Sequence, residues 1–225
     1  PPALPVVVCT VDLSWADNIK NVKVNGKNFL LNVSTWNQKG TADGLDTGLT
    51  EYVFDLTKRR SIINKVKTDI VTGYEMAKQA GIPYDIAAHS LGTVATYEAI
   101  RELKTERPDI KFRNVFLMGS PLALFIDQKN AVYDANAFQN VGNVVNIYNT
   151  NDAMNNIRVG AIYGAYSANS LLGPLVGNFA GSQPVSRELK LIFSNIKDVK
   201  IDVPHGSMWN DPRMLKDIET NGVFN

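Results

Sequence analysis

Short apolar runs rich in β-branched residues alternate along this chain with segments whose apolar residues recur at helical spacing, and few architectures accept that order. Pro5 to Val11 and Phe29 to Trp36 read as strands, as do Tyr84 to Ala88, Asn114 to Met118, Val144 to Tyr148 and Val199 to Val203. Between them, Ser14 to Val22 reads as a polar stretch containing a short helix. From Ser61 the residues Ile62, Val66, Ile70, Tyr74 and Ala77 mark an amphipathic helix that Gly81 closes. Another helix starts after Ser90, runs towards Lys104 and stops before Pro108. Asp211-Pro212 offers a cap and a first-turn proline for a terminal one. Thr41 to Thr50, rich in Gly, Thr and Asp, reads as a loop. Alternation of this kind predicts an α/β chain, with a mostly parallel central sheet of about six strands and helices on both faces. In such sheets ligands bind beyond the carboxyl ends of the strands, so residues that follow strands carry the chemistry.

Residues 1–225 contain no internal repeat and no low-complexity linker, which predicts one domain of a size able to bury a substantial core. The charges nearly cancel, 23 basic against 22 acidic residues for a formal +1, so nothing electrostatic points to a nucleic-acid partner. Cys9 is the sole cysteine, which rules out an intramolecular disulfide and a cysteine-based zinc site. Pro1-Pro2-Ala3-Leu4-Pro5 has no basic leader and no long apolar run, and reads as a processed or trimmed terminus rather than a signal peptide. No stretch reads as a membrane-spanning helix. Val159 to Ser186 is uncharged, but Gly, Asn, Ser and Pro interrupt it. The expectation is a soluble chain of open compartment.

Ala88-His89-Ser90-Leu91-Gly92 lies where an apolar strand meets a helix. A nucleophile elbow needs small residues two positions either side of its Ser, because the sharp turn crowds the neighbouring backbone; here Ala88 stands where the first Gly is usual. Such a turn lifts the hydroxyl above the sheet and aims the following amides at a developing oxyanion. The competing reading is a structural serine capping the helix. The chain has two histidines. His89 precedes Ser90 on the elbow, would point away from the nucleophile's face, and reads as a packed or hydrogen-bonded strand-end residue. His205, in the loop after the last strand, is the expected general base, since the triad order on an α/β-hydrolase fold is Ser, acid, His.

Asp152, which follows the strand Val144 to Tyr148, is the expected acid. Asp127 and Asp134 are rivals, and Asp202 lies too close along its own strand to turn back. For the oxyanion hole the expected donors are the Leu91 amide and one from the loop at Asp12 to Ser14, centred on Leu13. Ser120, in Gly119-Ser120-Pro121, either lines the site or simply turns the chain before proline.

Four segments in order resemble the DDHD-type, phospholipase A1-like lipases, over about Tyr52 to Ile218. They are Ala88 to Gly92, Phe116-Leu117-Met118-Gly119-Ser120-Pro121-Leu122, Asn146-Ile147-Tyr148-Asn149-Thr150-Asn151-Asp152 and His205-Gly206-Ser207-Met208-Trp209. The resemblance implies Ser90, Asp152 and His205 as the triad. Met208 stands where the family has an aromatic before Trp209, the Pro-Val pair after the acid is missing, and the first strand lacks a His-Gly end. A compact, distant relative is implied, cleaving carboxylic esters of a small-molecule or lipid alcohol, with transient contact to a membrane surface and without metal or organic cofactor. The segment at about 155–190, which includes the uncharged stretch, is a candidate lid or acyl pocket; a buried irregular connection is its other reading. The same triad would also serve an acyltransferase or thioesterase, and the fold could persist as a non-catalytic binding module.

Overall fold

The computed structural model describes residues 4–10, 16–24, 27–35, 55–120, 137–151, 184–185, 190–191, 194–208 and 211–213; for the first three ranges it describes the backbone alone. Among the described residues seven strands form one sheet. They are β1 (Leu4–Thr10), β2 (Ala16–Val24), β3 (Lys27–Thr35), β4 (Asp85–His89), β5 (Phe112–Met118), β6 (Val141–Tyr148) and β7 (Ile196–Lys200). Their spatial order is β2-β3-β1-β4-β5-β6-β7, and every pairing is parallel except β2 with β3. The predicted α/β architecture with a mostly parallel sheet is therefore present, with one strand more than expected.

That additional strand is the main correction. Where a helix is expected within Ser14 to Val22, the described residues from Ala16 on are strand: Ala16–Val24 runs antiparallel to Lys27–Thr35 in full register, from Ala16 opposite Thr35 to Val24 opposite Lys27. Asn25 and Gly26 alone separate the two strands, and that dipeptide is the strongest short-range hairpin signal. The last strand is also displaced, to Ile196–Lys200. A strand needs a partner, and β6 stops at Tyr148, whose carbonyl takes the Ile201 amide at 2.9 Å. Asp202 and Val203 run past that end. The expected loop at Thr41 to Thr50 lies outside the described residues, as does the terminal helix beyond Arg213.

Helix α1 (Leu56–Ala80) begins a turn earlier than its apolar period suggests, because Asp55 caps it: one carboxylate oxygen accepts the Thr57 and Lys58 amides, each at 3.0 Å. Gly81, at φ +65°, ends it in the left-handed conformation open to glycine. Helix α2 (Leu91–Glu106) follows the elbow directly. The buried stripe Ile62, Val66, Ile70 and Ala77 of α1 packs with Val94, Ile100 and Leu103 of α2 over Ile86, Val115, Leu117 and Val144 of the sheet. Strand alternation sends Ala87, Phe116, Met118, Val145 and Ile147 to the opposite face, where Val203 and Met208 cover them. Across β4 to β7 both faces are thus buried, and each fully buried Ile or Leu contributes about 1.5–3 kcal/mol.

The order of connections positions the site. From β1 the chain steps outward to β2 and β3, then crosses back through α1 to β4 on the other side of β1. The reversal lies between β1 and β4, where an open α/β sheet leaves a crevice at its carboxyl edge. Ser90 is the first residue beyond β4.

Polar residues lock the strands at the far edge. Asp85, Asn114 and Asn143 are register partners across β4, β5 and β6. The Asp85 carboxylate, 2% exposed, accepts from Arg113, from the Asn114 amide and from the Asn114 side chain; the Asn143 side chain in turn donates to Asn114 at 2.9 Å. Asp85, partly opposed by burial, holds the Arg113 guanidinium pKa above its ordinary value. A one-residue slip would bury this charge unpaired, so the ladder penalises wrong registers.

Candidate active site

Ser90 is where local geometry departs furthest from the ordinary. Its φ is 52° and ψ −129°, and it alone among the described non-glycine residues has positive φ. Such a conformation costs on the order of 1–3 kcal/mol and persists only when the surroundings over-determine it. They do so here. The Ser90 amide donates to the Met118 carbonyl at 2.9 Å, joining the elbow to the end of β5. The Ser90 carbonyl accepts the Thr93 amide at 3.0 Å and the Thr93 hydroxyl at 2.7 Å. Thr93 Oγ1 also lies 2.8 Å from Ser120 Oγ, and both side chains are fully buried.

The constrained serine presents its hydroxyl to a histidine. His205 Nε2 lies 2.9 Å from Ser90 Oγ, so residues 115 positions apart in sequence meet at hydrogen-bond distance. His205 opens a short 3-10 turn, His205–Ser207, in which the Ser207 amide bonds the Pro204 carbonyl at 2.9 Å. Both Ser90 and His205 are half-buried, which leaves the pair reachable from solvent.

The turn sits close because Gly119 lets it. Gly119 follows β5 at φ +54°, and a Cβ on it would lie 2.9 Å from His205 Cε1 and Nδ1 and 3.0 Å from Met208 Sδ. The imidazole therefore packs against bare backbone, at a separation no side chain would permit. Asn149 completes the link between the ends of β6 and β7. Its side-chain amide donates to the Val203 carbonyl at 2.9 Å, and its oxygen accepts the Asn151 amide at 2.9 Å. That bond turns the chain just before position 152. The half-buried Tyr148 phenol, pushed up by burial and then by the Asp198 carboxylate, stays neutral beside this turn.

Of the residues named from sequence, the structure brings Ser90 and His205 together. Leu91 occupies the first position of α2, where an amide has no acceptor within the helix, so its N–H is available to an oxyanion above Ser90. Leu13 lies outside the described residues. So do Asp152, one position beyond Asn151, and the rivals Asp127 and Asp134. Asp202 is exposed, on the side opposite its buried neighbours Ile201 and Val203. Ser120 does not face outward: it is fully buried behind Thr93, a support for the elbow rather than a lining residue. Of the candidate lid, Val185 is buried and its amide donates to Asp198 at 3.0 Å; residues 155–183 are outside the described ones. Sequence reading missed Thr93, Asn149 and the full part of Gly119. Only Gly119, between a strand end and Ser120-Pro121, carried a local sign. No group of three His, Cys, Asp or Glu side chains that could hold a metal ion occurs among the described residues. No helix among them is long and apolar enough to cross a membrane.

No family model and no curated protein matches this chain. Among solved structures it is similar to the lin2722 gene product of Listeria innocua, at 10% identity and a TM-score of 0.48, over 96% of this chain and 92% of that one. It is also similar to human thioesterase 2, at 10% identity and a TM-score of 0.42 over 98% and 95% of the two chains. A third is the RedJ-thioesterase of the prodiginine biosynthetic pathway in Streptomyces coelicolor, at 11% identity and a TM-score of 0.39 over 97% and 85%. Likenesses of this degree carry no argument; the sheet order and the strained turn after β4 are those of an α/β-hydrolase fold.

Proposed function

We propose that the protein is a serine hydrolase that cleaves carboxylic esters through Ser90, His205 and Asp152. The observation that carries this reading is the 2.9 Å approach of His205 Nε2 to the hydroxyl of a serine held at positive φ after a central strand. Ser90 Oγ attacks the ester carbonyl while His205 Nε2 takes its proton. The tetrahedral oxyanion is held by the Leu91 amide and by a second donor from the segment at Leu13. The alcohol departs with the proton from His205, leaving an acyl-serine. Water then attacks, its proton passing to His205, and the acid is released as Ser90 regains its hydrogen. Asp152 holds the His205 tautomer with the proton on Nδ1 and stabilises the imidazolium.

The substrate class proposed is a lipid or other acyl ester, supported by the four-segment resemblance to DDHD-type lipases and by the uncharged stretch from Val159 to Ser186. That stretch is the proposed acyl pocket or lid, where the chain would touch a membrane surface transiently. Deleting Ser167 to Gly177 is expected to abolish long-chain ester hydrolysis in a folded variant; intact long-chain activity would sink the lid. Acyl transfer to another acceptor, or cleavage of a thioester, needs the same machinery. A panel with ester, thioester and competing alcohols separates these outcomes.

The primary test is labelling by a fluorophosphonate probe. The parent is expected to label on Ser90, and Ser90→Ala and His205→Ala to lose labelling while folded. Asp152→Asn is expected to slow ester turnover about 10⁴-fold, as loss of the orienting carboxylate does in such triads. A well-folded parent that never labels, with or without lipid or detergent, would refute the assignment in favour of a non-catalytic scaffold.

A further inference from the structure

Ser90 and its neighbour His89 both reach His205, by different atoms. Strand alternation puts His89 on the face that carries Ala87, together with Val203 and Met208. The sequence reading of a hydrogen-bonded strand-end residue holds, but the ring does not turn away from the site: it lies against His205, centroid to centroid 4.8 Å, with 47° between the planes. Its Nε2 is 2.7 Å from the His205 carbonyl oxygen. A carbonyl only accepts, so Nε2 carries the hydrogen. His89 is 8% exposed, so little water competes for that bond. The same carbonyl takes the Met208 amide at 3.3 Å, a longer bond than that to His89.

We infer that His89 is a positioning residue for His205, its Nε2–H tethering the base's own carbonyl to the strand that delivers the nucleophile. The inference rests on the serine-hydrolase reading above. Two adjacent residues of one rigid strand then hold the base at two points, the backbone through His89 and the ring tip through Ser90. Without the tether, the 205–207 turn loses its hydrogen bond to the end of β4. It can then drift along the Gly119 floor, which lengthens the Ser90–His205 contact. The loss is expected on the chemical step, because His89 is buried and acts through the base.

The experiment compares His89→Phe, His89→Asn and His89→Gln with the parent, by the rate of fluorophosphonate labelling and by hydrolysis of p-nitrophenyl butyrate. His89→Phe keeps a ring and deletes the donor. A Gln amide nitrogen reaches the place of the imidazole Nε2, whereas Asn stops short of it. Misplacing a reacting group by about an ångström costs up to about 100-fold in rate, so His89→Phe and His89→Asn are expected to be about 10- to 100-fold slower. The loss is expected in kcat with KM unchanged, and His89→Gln to recover most of the parent rate. Should His89→Phe fail to fold, the polar Asn and Gln variants decide by themselves. Equal rates in those two, or a loss confined to KM, overturns the tether. A labelled parent with an indifferent His89→Phe refutes this inference alone; a folded parent that never labels refutes the hydrolase reading and the tether with it.

Discussion

Gly119→Ala is the substitution whose effect the structure predicts most closely. Two costs arise. The backbone at φ +54° is left-handed, and an L side chain there costs about 1–2 kcal/mol. The new methyl would also meet His205 Cε1 and Nδ1 at 2.9 Å and Met208 Sδ at 3.0 Å. Overpacking of that kind adds about 1–3 kcal/mol. A total loss of about 2–5 kcal/mol is expected from urea denaturation, a sizeable part of the stability of a single domain. To regain ordinary contact distance the imidazole must retreat by about half an ångström. The Ser90 Oγ to His205 Nε2 separation would open from 2.9 Å towards the limit of a hydrogen bond. On the hydrolase reading, labelling of Ser90 should slow about tenfold or more, measured well below the unfolding transition. A Gly119→Ala variant as stable as the parent would refute the contact argument. One that is destabilised yet labels at the parent rate would show that His205 is not held by this floor.

Four further outcomes follow from the same contacts. Ser90→Gly should lose labelling while gaining about 1 kcal/mol in denaturation, because glycine relieves the positive-φ strain; a loss of stability would contradict the strain. Thr93→Val removes the hydroxyl shared by the Ser90 carbonyl and Ser120, and should cost about 1–3 kcal/mol in the same assay while slowing labelling. Asn149→Ala strips a buried donor from the Val203 carbonyl and should cost about 1–3 kcal/mol, with a slower Ser90 reaction that urea midpoints alone would not reveal. The Asp109 carboxyl, held down to about 2 from 3.8 first by its hydrogen bond to Arg107, contributes stability that is present above pH 3.8 and lost as pH falls through about 2. Asp109→Asn should therefore flatten that part of an acid denaturation profile, and an unchanged profile would mean the Arg107 contact does not persist in solution.

Much of the fold was legible because its strands are short, β-branched and bounded by turn residues, and α1 and α2 carry apolar residues at a helical period. What failed were segments whose conformation depends on a partner. Ala16–Val24 mixes polar and apolar residues and pairs only because Lys27–Thr35 folds back beside it. The end of β7 is decided by where β6 stops. Local propensity contains neither fact.

The candidate site divides along the same line. Sequence by itself singled out Ser90 and His205 as the proposed nucleophile and base, because one serine stands between small residues at a strand–helix junction and the fold's order leaves one histidine after the last strand. Their distance was decided only by tertiary structure. It depends on the reversal of strand order that sets β4 beside β1, on Thr93 and Met118 holding Ser90 at positive φ, and on the bare backbone of Gly119. The part of His89 was decided there too. In sequence it is merely the residue before the serine, and it acquires a partner only when the sheet brings position 205 to the end of β4. Residue chemistry is a local property that a sequence displays, whereas a contact between positions 115 apart exists only once the chain has closed around a common core.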